Sequence, residues 1–136
     1  MIINEMQLKK FEEIIKYKFN DIKILEKSLT HSSYSNEDKF YTKVNNERLE
    51  FLGDAVLSIV VSKYIFHKYP DYPEGELTKL RSQVVCEDTL SIVATNLNIG
   101  KYLLLGKGEE ASGGRERKSI LADAVEAIIA AIYIDG

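Results

Sequence analysis

Cysteine occurs once in this 136-residue chain and proline twice, and basic residues are in deficit. Cys86, in "RSQVVCEDTL", has no second thiol to pair with. That excludes an internal disulfide framework and a cysteine-based zinc site, and predicts a buried free thiol. With Pro70 and Pro73 the only prolines and few alternating β-branched runs, most of the chain reads as amphipathic or buried helix. Apolar runs long enough to span a bilayer are missing, and "MIINEMQLKKFEEII" lacks the basic start, apolar stretch and cleavage site of a signal peptide. A soluble, cytoplasmic protein without membrane association is expected. Eighteen Lys and Arg against 21 Asp and Glu give a formal net charge of -3, which argues against holding nucleic acid by bulk charge alone.

What is present suits one globular domain over residues 1–136: 45% hydrophobic residues can build a core, and no repeat or low-complexity tract points to disorder. An all-α domain is expected. A first helix fits Gln7 to Tyr17, with Leu8, Phe11, Ile14 and Ile15 on one face, and a second fits Ile22 to Leu29 behind Asn20 or Asp21 as cap. "THSSYSNEDKFYTKVNN" reads as a polar loop. Asn45 or Asn46 should cap a long helix running to about His67, which "KYPDYPEG" interrupts. Helices follow at Glu76 to Val85 and Asp88 to Leu97, and "GKGEEASGGRERKS" leads into a last helix with Ser119 as N-cap.

That last helix poses the functional question. Between Leu121 and Ile134 only Asp123 and Glu126 carry charge. At about 100° per residue they sit about 60° apart, on one side of the helix. As acids near a helix N-terminus, they are also explained by the helix dipole, and the pair alone does not decide between the two readings. The long helix adds Glu47, Glu50 and Asp54 at i, i+3 and i+7, within an arc of roughly 60°, on a stripe that continues into Leu57, Val61 and Ile65. These acids therefore sit at the edge of a core, where crowded carboxylates resist ionisation unless a cation compensates. Arg48, the one basic residue of that run, projects about 100° from Glu47. A hard divalent cation such as magnesium, bound through oxygen, meets the need. Zinc ligation would call for histidine or cysteine, and a di-iron bundle for Glu-x-x-His pairs; Glu126 is followed at i+3 by Ile129 and Glu50 by Gly53.

The run "NNERLEFLGDAVL", Asn45 to Leu57, resembles the signature of the ribonuclease III family of double-strand-specific endoribonucleases. The likeness extends to "LTHSSY", to "YPEGELTKLRSQVV" and to "SGGRERKSILADAVEAIIAAIYIDG", in the family's order. It implies the helical ribonuclease III endonuclease-domain fold and a homodimer with one active site per subunit along a valley for double-stranded RNA. Glu50, Asp123 and Glu126 are implied as ligands of Mg2+, with Mn2+ as a substitute, and Asp54 and Glu126 as catalytic residues. Glu47 and Glu74 are implied as supporting acids near the cut, and Phe51 as an aromatic packing into the partner subunit. The implied reaction is metal-assisted attack of water on a phosphodiester, leaving 5′-phosphate and 3′-hydroxyl ends with short 3′ overhangs, in processing ribosomal, messenger and transfer RNA precursors. No small-molecule cofactor is implied.

A-form RNA is read through its shape, phosphates and 2′-hydroxyls, so basic and polar contacts are expected. Arg115, Arg117 and Lys118 in "GGRERKS" are the candidate contacts, with Lys79 and Arg81 in "LTKLRSQ" as further basic residues. His31 has no dyad partner and is assigned no catalytic role. Bacterial members of the family continue into one more helix and a double-stranded-RNA-binding domain, whereas this chain stops at Gly136. A truncated nuclease domain without that module, and with weak RNA binding, is expected.

Overall fold

The computed structural model describes residues 5–37 and 44–136. Eight helices follow one another among them: α1 (Glu5–Ile15), α2 (Ile22–Ser28), α3 (Ser32–Glu37), α4 (Glu47–Lys68), α5 (Glu74–Val84), α6 (Glu87–Asn96), α7 (Lys107–Ala111) and α8 (Lys118–Asp135). Short 3₁₀ turns lie at Ile99–Tyr102 and Gly114–Glu116. Extended backbone pairs only at a single bridge among these residues, where Leu104 N–H donates to Leu29 O and His31 N–H to Leu104 O. The fold is all-α, as expected.

α8 is the centre of the structure because its sequence leaves it no solvent face for most of its length. Ile120, Leu121, Val125, Ile128 and four of its alanines, Ala122, Ala124, Ala127 and Ala131, are buried, as is Ala130. Small side chains at these positions let α4, α6 and α2 approach closely and pack around it. The main core gathers Leu8 and Phe11 of α1, Leu25 of α2, Leu90 and Ala94 of α6 and the run Tyr102 to Leu105. Phe11 is fully buried against Tyr102, with ring centroids 5.0 Å apart. A side chain buried to this extent contributes about 2–3 kcal/mol. A smaller cluster of Leu49, Ala127 and Ala130 seals the start of α4 to α8.

Several boundaries move from the sequence expectation, each for a visible reason. α1 stops at Ile15 because Lys16 takes a left-handed conformation, with φ 57°. α5 begins at Glu74, since Pro73 O already accepts from the Glu76 and Leu77 N–H groups. Ser119 is not the N-cap of α8: Arg117 is, and Leu121 N–H donates to its carbonyl. The Arg117 guanidinium, tied to Glu109 and to Ser112 O, fixes the chain direction one turn earlier. Asp21 caps α2 as expected, accepting from Lys23 N–H. At α4 the two asparagines divide the work: Asn45 Oδ1 accepts from Glu47 N–H, while Asn46 donates to Ser28 O and Thr30 O and so pins the start of the helix to the end of α2. Cys86 is not buried but half-exposed at the head of α6, its Sγ 3.2 Å from Thr89 Oγ1.

The expected polar loop after Thr30 contains α3, and residues 38–43 of that loop lie outside the described residues. α3 and α7 are short helices that stabilise each other. Ser33 Oγ accepts from Gly106 N–H at 2.9 Å and Glu37 Oε2 from Lys107 N–H at 2.6 Å, so α3 supplies acceptors for the open N-terminal donors of α7. No described helix is long and apolar enough to cross a membrane.

Asp135 closes the other end. Its carboxylate accepts from the Asn20 and Asp21 N–H groups, both at 2.8 Å, and from the Tyr17 hydroxyl at 2.7 Å, tying the last turn of α8 to the α1–α2 connection. Burial pushes this carboxyl up, but those hydrogen bonds outweigh it and hold it below its ordinary value. A depressed pKa contributes stability that is complete above the unfolded carboxylate value and is lost as pH falls through the folded one. Asp135→Asn should therefore lower the melting temperature at pH 7, and the gap to the unmodified protein should narrow as pH drops below about 4; thermal melts by circular dichroism across this range measure it.

Candidate active site

Where α4 crosses α8, the two main chains touch. A Cβ placed on Gly53 would stand 1.7 Å from the carbonyl oxygen of Glu126 and 2.4 Å from its carbon. Only glycine permits this approach, which lies within one helical turn of Glu50 and Asp54 on one strand of the crossing and at Glu126 itself on the other. The stripe of acids on α4 is thereby set directly against the pair on α8.

The consequence is a tight carboxylate cluster. One oxygen each from Glu50, Asp123 and Glu126 lies within 4.8 Å of the others. Burial is the largest influence on each, and neighbouring carboxylates add to it: the Glu50 carboxyl is pushed up to about 7 and that of Glu126 to about 8, while Asp123 is also raised. A hydrogen bond to Asp123 raises Glu50 further, and one to Asp54 raises Glu126. Among the described residues no lysine or arginine pairs with these acids. The ion pairs among the described residues are Arg115–Glu110, Arg117–Glu109 and Lys118–Asp88, all away from the cluster. A reading of these acids as ordinary salt-bridge partners therefore fails.

The cluster opens into a cleft of about 190 Å3 whose walls include Asp54, Asp123, Glu126 and Ser119, together with Cys86 and Glu87 at the head of α6. The last two escaped the sequence reading, because an acid in the first turn of α6 carries no periodic signal linking it to α4 or α8. Glu47, exposed one turn before Glu50, acts on that residue through its charge. Glu74 is exposed at the head of α5 and is not part of the cleft wall.

The basic candidates divide. Arg115 Nη1 donates to Gly100 O and Leu103 O, both at 2.8 Å, and Nη2 to Glu110, bracing the 3₁₀ turn that follows α6. Arg117 is held by Glu109 and Ser112. Lys118 is exposed, 3.3 Å from Asp88. Phe51 is 83% exposed and borders a groove of about 650 Å3 formed with Lys27, Glu47, Arg48, Leu49, Leu52 and Ile134.

Carboxyls whose folded pKa lies above the unfolded value stabilise the fold below about pH 4.5, and that contribution is lost as pH rises through about 7 to 8. Glu126→Gln removes one of the acids forced to ionise there. In EDTA at pH 9 the variant should melt higher than the unmodified protein, by roughly a few degrees, and the gain should shrink toward pH 5; paired melts at the two pH values check the sign.

Comparison with known proteins agrees with this architecture. A family model described as Ribonuclease-III-like matches residues 21–136. Ribonuclease 3 of Syntrophomonas wolfei is 55% identical over 133 residues, covering 97% of this chain and 56% of that protein. Ribonuclease 3 of Clostridium tetani is 55% identical over 130 residues, covering 96% and 54%. The chain thus spans about half the length of the curated relatives it matches. Among solved structures, the nuclease domain of ribonuclease III from Campylobacter jejuni superposes with a TM-score of 0.87 at 46% identity, covering 95% of this chain and 86% of that one. Its description concerns flexibility in a region involved in dimer formation. Dicer from Pichia stipitis superposes at 0.62 with 31% identity, covering 86% and 46%. Sequence, fold and the meeting of the signature acids across α4 and α8 agree: the chain belongs to the ribonuclease III family.

Proposed function

We propose that this chain is a single nuclease domain of a double-strand-specific endoribonuclease that works as a homodimer with a divalent cation. The supporting observation is the cluster itself: Glu50, Asp123 and Glu126 converge within 4.8 Å, and none of them forms an ion pair with a described lysine or arginine. The converging donor set is all carboxylate oxygen, which fits a hard cation, Mg2+ with Mn2+ as a substitute, and offers no imidazole or thiolate to select zinc. When bound, such an ion lowers the pKa of water and neutralises charge on phosphoryl oxygens.

The chain's own residues set the stage for that chemistry. Glu50, Asp123 and Glu126 would hold the ion. Asp54 lies on the cleft wall, where it can position the attacking water. Glu47 and Glu74 are supporting acids, Glu47 through its charge on Glu50. The products carry 5′-phosphate and 3′-hydroxyl ends with short 3′ overhangs, and the substrates are ribosomal, messenger and transfer RNA precursors in the cytoplasm. Lys118 meets the RNA backbone directly, while Arg115 and Arg117 contribute the remaining contact from a loop that they themselves hold rigid.

Phe51 supports the homodimer. An aromatic side chain 83% exposed beside a groove of suitable size gives one surface both a knob and a hole, which is what a two-fold contact between identical chains requires. Ile59, Val60, Tyr64 and Phe66 extend the apolar exposure along α4.

With a labelled RNA duplex and Mg2+, Glu126→Gln should cut at least about 1000-fold more slowly while binding the duplex and dimerising as before; cleavage at the unmodified rate would remove Glu126 from the mechanism. Phe51→Ala should shift sedimentation equilibrium toward monomer by at least about tenfold in dissociation constant, since a buried aromatic anchor is worth about 2 kcal/mol or more.

A further inference from the structure

Glu87 has no role in the reading above, yet it is placed where it can act on the cation site. It opens α6, and the ordinary explanation for an acid in a first helical turn is the helix dipole. Asp88 beside it conforms: exposed, and paired with Lys118 at 3.3 Å. Glu87 differs in two respects. It shares the wall of the cleft with Asp54, Asp123 and Glu126, bringing a third helix to a site otherwise built from α4 and α8. It also forms no ion pair with any described lysine or arginine, so its charge is not cancelled locally. Its carboxylate thus faces the same cleft as Asp123 and Glu126 with no described lysine or arginine to offset it. A carboxylate kept at this spot makes the cleft more attractive to a divalent cation.

We propose that Glu87 is a positioning residue of the cation site, strengthening the hold of Glu50, Asp123 and Glu126 on a divalent cation by a fixed negative charge on the α6 wall. This rests on the nuclease reading of the same cluster. Because the effect is carried by charge and not by direct ligation, it tolerates a shorter acid and is weakened by salt. It is also directional: the neighbouring charge of Asp88, committed to Lys118, does not share it.

Mn2+ binding to the RNA-free protein, followed by the electron paramagnetic resonance signal of the free ion, tests this without any activity measurement. Glu87→Gln should weaken Mn2+ binding about 10-fold at low salt, and by less in high salt, whereas Glu87→Asp and Asp88→Asn should stay within about 2-fold of the unmodified protein. Circular dichroism in EDTA should show Glu87→Gln folded, since the side chain bonds to nothing described. Unchanged affinity in Glu87→Gln, or an equal loss in Asp88→Asn, overturns the proposal while leaving the nuclease reading intact. Absence of Mn2+ binding by the unmodified protein overturns the nuclease reading, and this one with it.

Discussion

The contact between Gly53 and the main chain of Glu126 is the constraint on which the rest turns. Helices whose backbones touch cannot keep their polar side chains apart at the point of crossing, so acids at Glu50, Asp54, Asp123 and Glu126 are forced into one another's field. The alanines of α8 and the sealed cluster around Leu49 hold the crossing closed on the apolar side. Repulsion between the carboxylates acts on the opposite side of the same joint. The fold and the site are therefore in tension, and packing wins because burial of α8 is extensive while the acids are few.

That tension explains why the Glu50 carboxyl is pushed up to about 7 and that of Glu126 to about 8. A carboxylate in partly dry surroundings, facing others of its kind, is stabilised either by a proton or by a cation. Proton and metal are alternatives at one place, which makes the cluster a reservoir of charge that a cation can draw out. Arg115, Arg117 and Asp135 show a complementary strategy elsewhere, each spending several hydrogen bonds to lock a connection so that the helices bearing the acids start and end at fixed points.

The helical class, the long α4 and the five aligned acids were legible in the chain because helical periodicity is local: Glu47, Glu50 and Asp54 fall on one stripe by counting alone. The resemblance carried by "NNERLEFLGDAVL" and "LADAVEAII" then named the fold. What escaped was non-local. α3 and α7 are too short to announce themselves, α3 being also poor in strong helix formers, and each depends on hydrogen bonds across some 70 residues. The capping function of Ser119 was misplaced because the anchor of Arg117 lies in a neighbouring turn. Glu87 and Cys86 approach the cluster only through the packing of α6 on α8, a relation that no spacing along the chain encodes.

The half-exposed thiol of Cys86 stands on the rim of the acidic cleft, and it is the one sulfhydryl in the sequence. The chain thus carries a single reactive handle at the mouth of this cleft. A maleimide dye attached there needs no engineered cysteine in this chain, and its emission would report on changes within the acidic cleft.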